Sequence, residues 1–191
     1  MKKIKENITI QEYKKLMASA RGDENIREAT RSNLLRTFTI LYFTGLRLNE
    51  LQEMRIGHIK ELLQTGTTKI NMSKTKSERK LYLTPEFKKK LEKLFDIQED
   101  ADRRVIAKGS NKNKRDGIHH ITYLQQVNKF MKEVLGSGYT SHSFRQGLIT
   151  EMGSKSINTK IISKFIGHAD VKTTMMYINP TDDDIVNSLV R

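Results

Sequence analysis

The chain has 191 residues, of which 36% are hydrophobic, enough for a real core in one domain or two small ones. It has no cysteine, so disulfides and thiolate metal sites are excluded, and a reducing cytoplasm is permitted. Lys and Arg number 35 against 22 Asp and Glu, a net charge of +13, which favours a polyanionic partner; the basic N-terminus lacks the apolar stretch of a signal peptide, and no apolar run approaches the length of a membrane helix.

The elements follow in chain order. Ile10 to Ala20 reads as a helix, with Thr9 as N-cap and Glu12 completing a capping box. Asp23 to Phe43 reads as one long helix, with Leu34, Leu35, Phe38, Leu41 and Tyr42 at helical spacing and Gly45 as its end. A short helix then carries Leu48, Leu51 and Met54. Lys69 to Ser73 and Lys80 to Leu83 alternate as two strands of a hairpin, with a charged tip from Lys74 to Arg79. Pro85 suits the first turn of the next helix, which runs to about Phe95. Residues 108–117 form a basic loop bounded by glycine.

Further helices are expected over a stretch marked by Ile121, Leu124, Val127, Met131 and Val134, then over 142–153, 158–166, 171–179 and 182–190. In the 158–166 helix, Ile161, Ile162, Phe165 and Ile166 are expected to face inward. The sum is a mainly helical fold with one small antiparallel hairpin, read as a single domain over 1–191.

Four patches carry candidate chemistry. Arg47 follows a glycine turn at a helix start, where anions gather. His142 and Arg145 are three apart on one helix face, and both can donate to a single phosphate. His168 follows Gly167 at a helix end, and Tyr177 lies nine residues on (177 − 168). Each patch alone is equally a surface arginine, a solvated polar face, a helix cap or a packing tyrosine.

Together and in order, TGLRLNEL, SKTKSERK, HSFR, IGH and MMY resemble the motifs of the tyrosine recombinases, also called phage integrases. The resemblance spans about residues 7 to 180. It implies the tyrosine recombinase catalytic-domain fold and a site-specific recombinase, cleaving and rejoining DNA through a 3′-phosphotyrosine intermediate. It implies that Arg47, His142, Arg145 and His168 surround the scissile phosphate, with Tyr177 as nucleophile, Lys74 as the hairpin lysine and Glu50 in support. Lys76 competes with Lys74 for the lysine role. Arg79 of the hairpin and Lys112, Lys114 and Arg115 of the loop are expected DNA contacts together with Lys76. No metal, ATP or other cofactor is expected. The implied partner is double-stranded DNA, bound by a tetramer assembled from a cytoplasmic monomer.

The family's N-terminal clamp and arm-binding domains are not in this sequence. It therefore reads either as a piece of a longer integrase or as a stand-alone member similar to short fimbrial-type invertases. A relaxing enzyme of the type IB topoisomerase kind, or a DNA-binding module without activity, are the alternatives.

Overall fold

The computed structural model describes residues 6–72, 77–108, 117–178 and 186. Among them, nine helices and a two-stranded sheet run in the order α1 (Ile10–Gly22), α2 (Glu28–Thr44), α3 (Leu48–Glu53), α4 (Ile56–Thr65), β1 (Thr67–Met72), β2 (Ser77–Tyr82), α5 (Pro85–Leu94), α6 (His120–Leu135), α7 (His142–Ser154), α8 (Thr159–Ile166) and α9 (Val171–Met175).

The capping box of α1 forms as expected, with Glu12 accepting the Thr9 N–H at 2.9 Å. The long second helix starts later than its sequence suggests. Asp23 instead caps α1, and Arg31 reaches back from α2 to the Asp23 carbonyl at 2.8 Å. Helix α2 is the centre of the domain and packs against α1, α5 and α7. It ends at Gly45, which adopts a left-handed φ of 60°. Helix α4 is absent from the expected elements. It begins where residues 103–105 run beside Met54 to Ile56, with Val105 N donating to Met54 O at 2.9 Å and Ile56 N to Arg103 O at 2.8 Å.

The hairpin pairs Thr68 with Leu81 and Ile70 with Arg79. Its second strand starts at Ser77 rather than Lys80, so part of the expected tip is strand. Alternation therefore turns Thr68, Ile70, Arg79 and Leu81 to the buried side. Pro85 opens α5, and the Thr84 hydroxyl accepts the Phe87 N–H.

Helix α7 (His142–Ser154) and helix α8 (Thr159–Ile166) lie within a residue of their expected bounds, and the next helix is shorter than expected. Helix α9 stops at Met175, which leaves Tyr177 in the turn that follows. On α8, Ile162 and Ile166 point inward but Ile161 is exposed, because it falls on the opposite face of the helix. The expected helix over 182–190 lies outside the described residues except for exposed Val186.

The main core gathers α1 to α6, the hairpin and Phe144 of α7. A smaller cluster holds Ile149, Ile162 and Ile166, with Leu148, Phe165 and Tyr177 packed against it. Gly45 is where the two meet. A Cβ there would lie 3.0 Å from Ile166 Cδ1 and 3.1 Å from Leu148 Cδ2. The segment before α1 crosses α7 in the same close manner, with Ile8 N donating to Ser143 O at 3.1 Å and Ile8 O seated on Gly147.

Candidate active site

The turn after α2 delivers Arg47 to the N-terminus of α3. Glu50, in the first turn of that helix, accepts both the Arg47 N–H at 2.9 Å and its guanidinium at 2.6 Å. Glu50 is only 1% exposed. One buried carboxylate thus fixes both the backbone and the side chain of Arg47, through charge-assisted hydrogen bonds.

Arg145, in the first turn of α7, is also 1% exposed. Its Nη1 donates to Gly45 O at 2.9 Å and its Nη2 to Ile166 O at 2.8 Å. Those carbonyls sit at the C-terminal ends of α2 and α8, where helices leave acceptors unused and carry partial negative charge. Arg145 Nε is buried and has no hydrogen-bond partner. Burial, and then the neighbouring cations Arg47 and Arg79, push the guanidinium down to about 9, which still leaves it charged at neutral pH.

Gly167 ends α8 with φ 74°, and the next N–H, that of His168, donates to Ser163 O at 3.0 Å. The ring of His168 is held from its far side by buried Thr174, with Nδ1 2.8 Å from Thr174 Oγ1. Burial, followed by the charges of Arg145, Arg47, Arg79 and His142, lowers His168 to about 4. It is a neutral imidazole at physiological pH.

Tyr177 stands between the two histidines. Its ring centroid is 6.3 Å from that of His168 and 6.4 Å from that of His142. Its hydroxyl is 3.4 Å from His142 Nε2. The Tyr177 N–H donates to Thr174 O at 3.1 Å, so Thr174 positions both the histidine and the tyrosine.

The structure therefore brings Arg47, Glu50, His142, Arg145, His168 and Tyr177 together around the end of α2. Lys74, Lys76, Lys112, Lys114 and Arg115 lie outside the described residues. Arg79 departs from its expected place at a DNA surface. It is 2% exposed, with Nε donating to Phe165 O at 2.7 Å, Nη2 to Thr44 O, and Nη1 3.9 Å from Glu50. As the inward partner of Ile70 it points into the domain, and burial pushes it down to about 10. Extending the alternation of Leu81 and Leu83 back by two residues would have shown this. Thr174 gave no signal in the sequence. Among the described residues, no group of three or more His, Asp or Glu could hold a metal ion.

The model of the phage integrase family matches residues 6–184. The chain belongs to that family. Among curated members, it is 26% identical over 157 residues to a tyrosine recombinase of Pseudothermotoga lettingae, covering 80% of this chain and 52% of that one. It is 23% identical over 180 residues to tyrosine recombinase XerA of Pyrococcus horikoshii, covering 94% and 59%. This family member thus spans little more than half the length of those relatives. Among solved structures, XerH site-specific recombinase bound to difH substrate, in a pre-cleavage complex, superposes with a TM-score of 0.68 at 20% identity, over 98% of this chain and 54% of that one. The mainly helical fold with its antiparallel hairpin is the tyrosine recombinase catalytic-domain fold.

Proposed function

We propose that this chain is the catalytic unit of a site-specific DNA recombinase, and that Tyr177 is its nucleophile. The observation that carries the reading is the Tyr177 hydroxyl set 3.4 Å from His142 Nε2, beside a neutral His168 and close enough to Arg145 to interact with its charge. Tyrosine ordinarily ionises near pH 10, so attack at neutral pH needs a base within hydrogen-bond reach. His142 occupies that place.

Tyr177 Oη attacks phosphorus and forms a 3′-phosphotyrosine ester as the bond to O5′ breaks. His142 takes the tyrosine proton. Lys74, which falls between the two hairpin strands in sequence, gives a proton to the leaving O5′. One phosphate ester replaces another, so the same steps reversed on a new 5′ hydroxyl rejoin a strand. Arg47 and Arg145 stabilise the charge that develops on the phosphoryl oxygens. The unpartnered Arg145 Nε supports this, because a buried donor left unpaired is costly and an incoming phosphate would satisfy it.

The partner in this reading is double-stranded DNA. A chain excess of 13 positive charges draws it to the backbone, with Lys76, Lys112, Lys114 and Arg115 as contacts. Strand exchange requires two duplexes, so the working form is a tetramer on DNA built from monomers. The test is a nicked duplex whose 5′ fragment diffuses away after cleavage and traps the covalent complex. The wild-type protein should accumulate a DNA adduct stable to denaturant. Tyr177→Phe should bind the same DNA and give none, and an adduct in that variant would reassign the nucleophile.

A further inference from the structure

Two buried arginines bind consecutive carbonyls at the same two helix ends. Arg79 donates to Thr44 O and Phe165 O, and Arg145 donates to Gly45 O and Ile166 O. Thr44 and Gly45 close α2, and Phe165 and Ile166 form the last turn of α8. The guanidinium of Arg79 comes from β2, and that of Arg145 from α7. The hairpin, α2, α7 and α8 are thereby tied together at one point.

Arg79 is an expensive residue for its place. Its strand neighbours on the inward face are Ile70 and Leu81, and an aliphatic side chain would continue that row. A guanidinium there must instead be compensated, and it is compensated by the helix-end carbonyls of Thr44, Phe165 and, at 3.5 Å, Gly45, by the Glu50 carboxylate 3.9 Å away, and by the Phe165 ring whose centroid lies 5.5 Å from its central carbon. Glu50 is the same carboxylate that holds Arg47. Arg79 Nη1 also reaches Gly45 O at 3.5 Å, so the two arginines share that carbonyl, while Ile166 O, the successor of Phe165 O, is taken by Arg145. Arg79 therefore touches the supports of both phosphate-facing arginines while remaining only 2% exposed itself.

We propose that Arg79 is a positioning residue that sets Arg145 and Arg47 on one anion, by fixing the ends of α2 and α8 and the carboxylate of Glu50. The proposal rests on the recombinase reading above, and its effect falls on the charge of the phosphate. It does not fall on the leaving group.

The test compares Arg79→Lys and Arg79→Met with wild type in single-turnover formation of the covalent complex. Three nicked duplexes are used: an ordinary phosphate, a methylphosphonate that lacks the negative charge at the scissile position, and a 5′-bridging phosphorothiolate whose sulfur leaves without needing a proton. DNA binding is measured on each by titration. Arg79→Lys keeps a charge but only one reach of donors, and carries the comparison if Arg79→Met does not fold. The expected result is near-normal binding, a rate lower by about a hundredfold on ordinary phosphate, as for loss of one aligned donor, and a deficit at least tenfold smaller on the methylphosphonate. An equal loss on all three substrates, which a shortage of folded protein would also produce, overturns the proposal. So does a deficit that shrinks only on the sulfur substrate, since that places Arg79 behind the hairpin acid. Wild-type protein that forms no adduct on any of the three overturns the recombinase reading, and this inference with it.

Discussion

Tyr177 Oη and His142 Nε2 are 3.4 Å apart, so the turn after α9 meets the first turn of α7 through one potential proton path. That separation is at the long end of a hydrogen bond, and such contacts tighten when substrate fills a site. His142→Gln keeps a polar side chain but cannot accept the tyrosine proton as imidazole does. Adduct formation on the nicked duplex should slow by about 10²- to 10⁴-fold, the usual worth of a positioned base. Binding should be unchanged. An unaltered rate would remove His142 from proton transfer.

His168 predicts a dependence of stability on pH. Its folded value is lowered from the ordinary 6.5 to about 4, chiefly by burial. The unfolded chain therefore binds more protons between those limits, and stability rises with pH across that window. The His168 contribution is fully present above pH 6.5 and is lost as pH falls toward 4. His58 is lowered in the same direction by burial and contributes with the same sign, so the quantity to compare is a difference. Urea midpoints of wild type and His168→Asn, taken from pH 7 down to 4.5, should converge as the pH falls. Parallel curves would contradict the burial of the neutral ring.

Two glycines separate stability from chemistry. A methyl on Gly147 would overlap the Ile8 carbonyl, so Gly147→Ala should lift the N-terminal segment off α7. The cost should be about 1–3 kcal/mol, typical of overpacking, with the rate of adduct formation intact in the folded fraction. Gly45→Ala meets Ile166 and Leu148 and forces an alanine to φ 60°. The left-handed backbone alone costs about 1–2 kcal/mol. Because Gly45 O is an Arg145 acceptor, this variant should also slow cleavage. Chemical denaturation beside single-turnover rates distinguishes the two outcomes.

The proton donor to the leaving oxygen can be assigned with the sulfur-bridged duplex alone. Lys74→Ala should cleave ordinary DNA poorly and the sulfur substrate at nearly the wild-type rate, because a thiolate leaves without general acid help. Rescue of Lys76→Ala in place of Lys74→Ala would move the role two residues along the hairpin.

Much of this architecture was legible in the residues. Thr9 with Glu12, Gly45, Pro85 and Gly167 each mark an element end through local chemistry that tertiary structure had no reason to override. The site was legible because its members lie in short motifs whose order carries the information. The rest depends partly on distant partners and partly on local periodicity outweighed by charge or apolarity. Helix α4 has a local signature in Ile56, Ile59, Leu62 and Leu63 at helical spacing with Gly66 at its end, and only its anchoring by the strand-like passage of residues 103–105 depends on distant sequence. Arg79 reads as a surface contact by its charge, although the period of two places it beneath the hairpin. Ile161 reads as core because it is apolar, although Ile162 and Ile166 fill the inward face. Thr174 gained its role only when the chain folded back to set it behind His168.

Around the end of α2, Arg47 and Arg79 pair with one carboxylate, that of Glu50, and Arg145 lies within reach of its charge. Among the described residues the cluster thus carries two positive charges in excess (3 − 1), moderated by the helix ends. A molecule built this way is more strained at rest than at work. Whatever oxyanion enters also relieves repulsion within the protein, so binding and folding reinforce each other. Inorganic phosphate or sulfate in an assay buffer would act as a competitor for the same relief, and the identity of the buffer becomes a variable of the reaction.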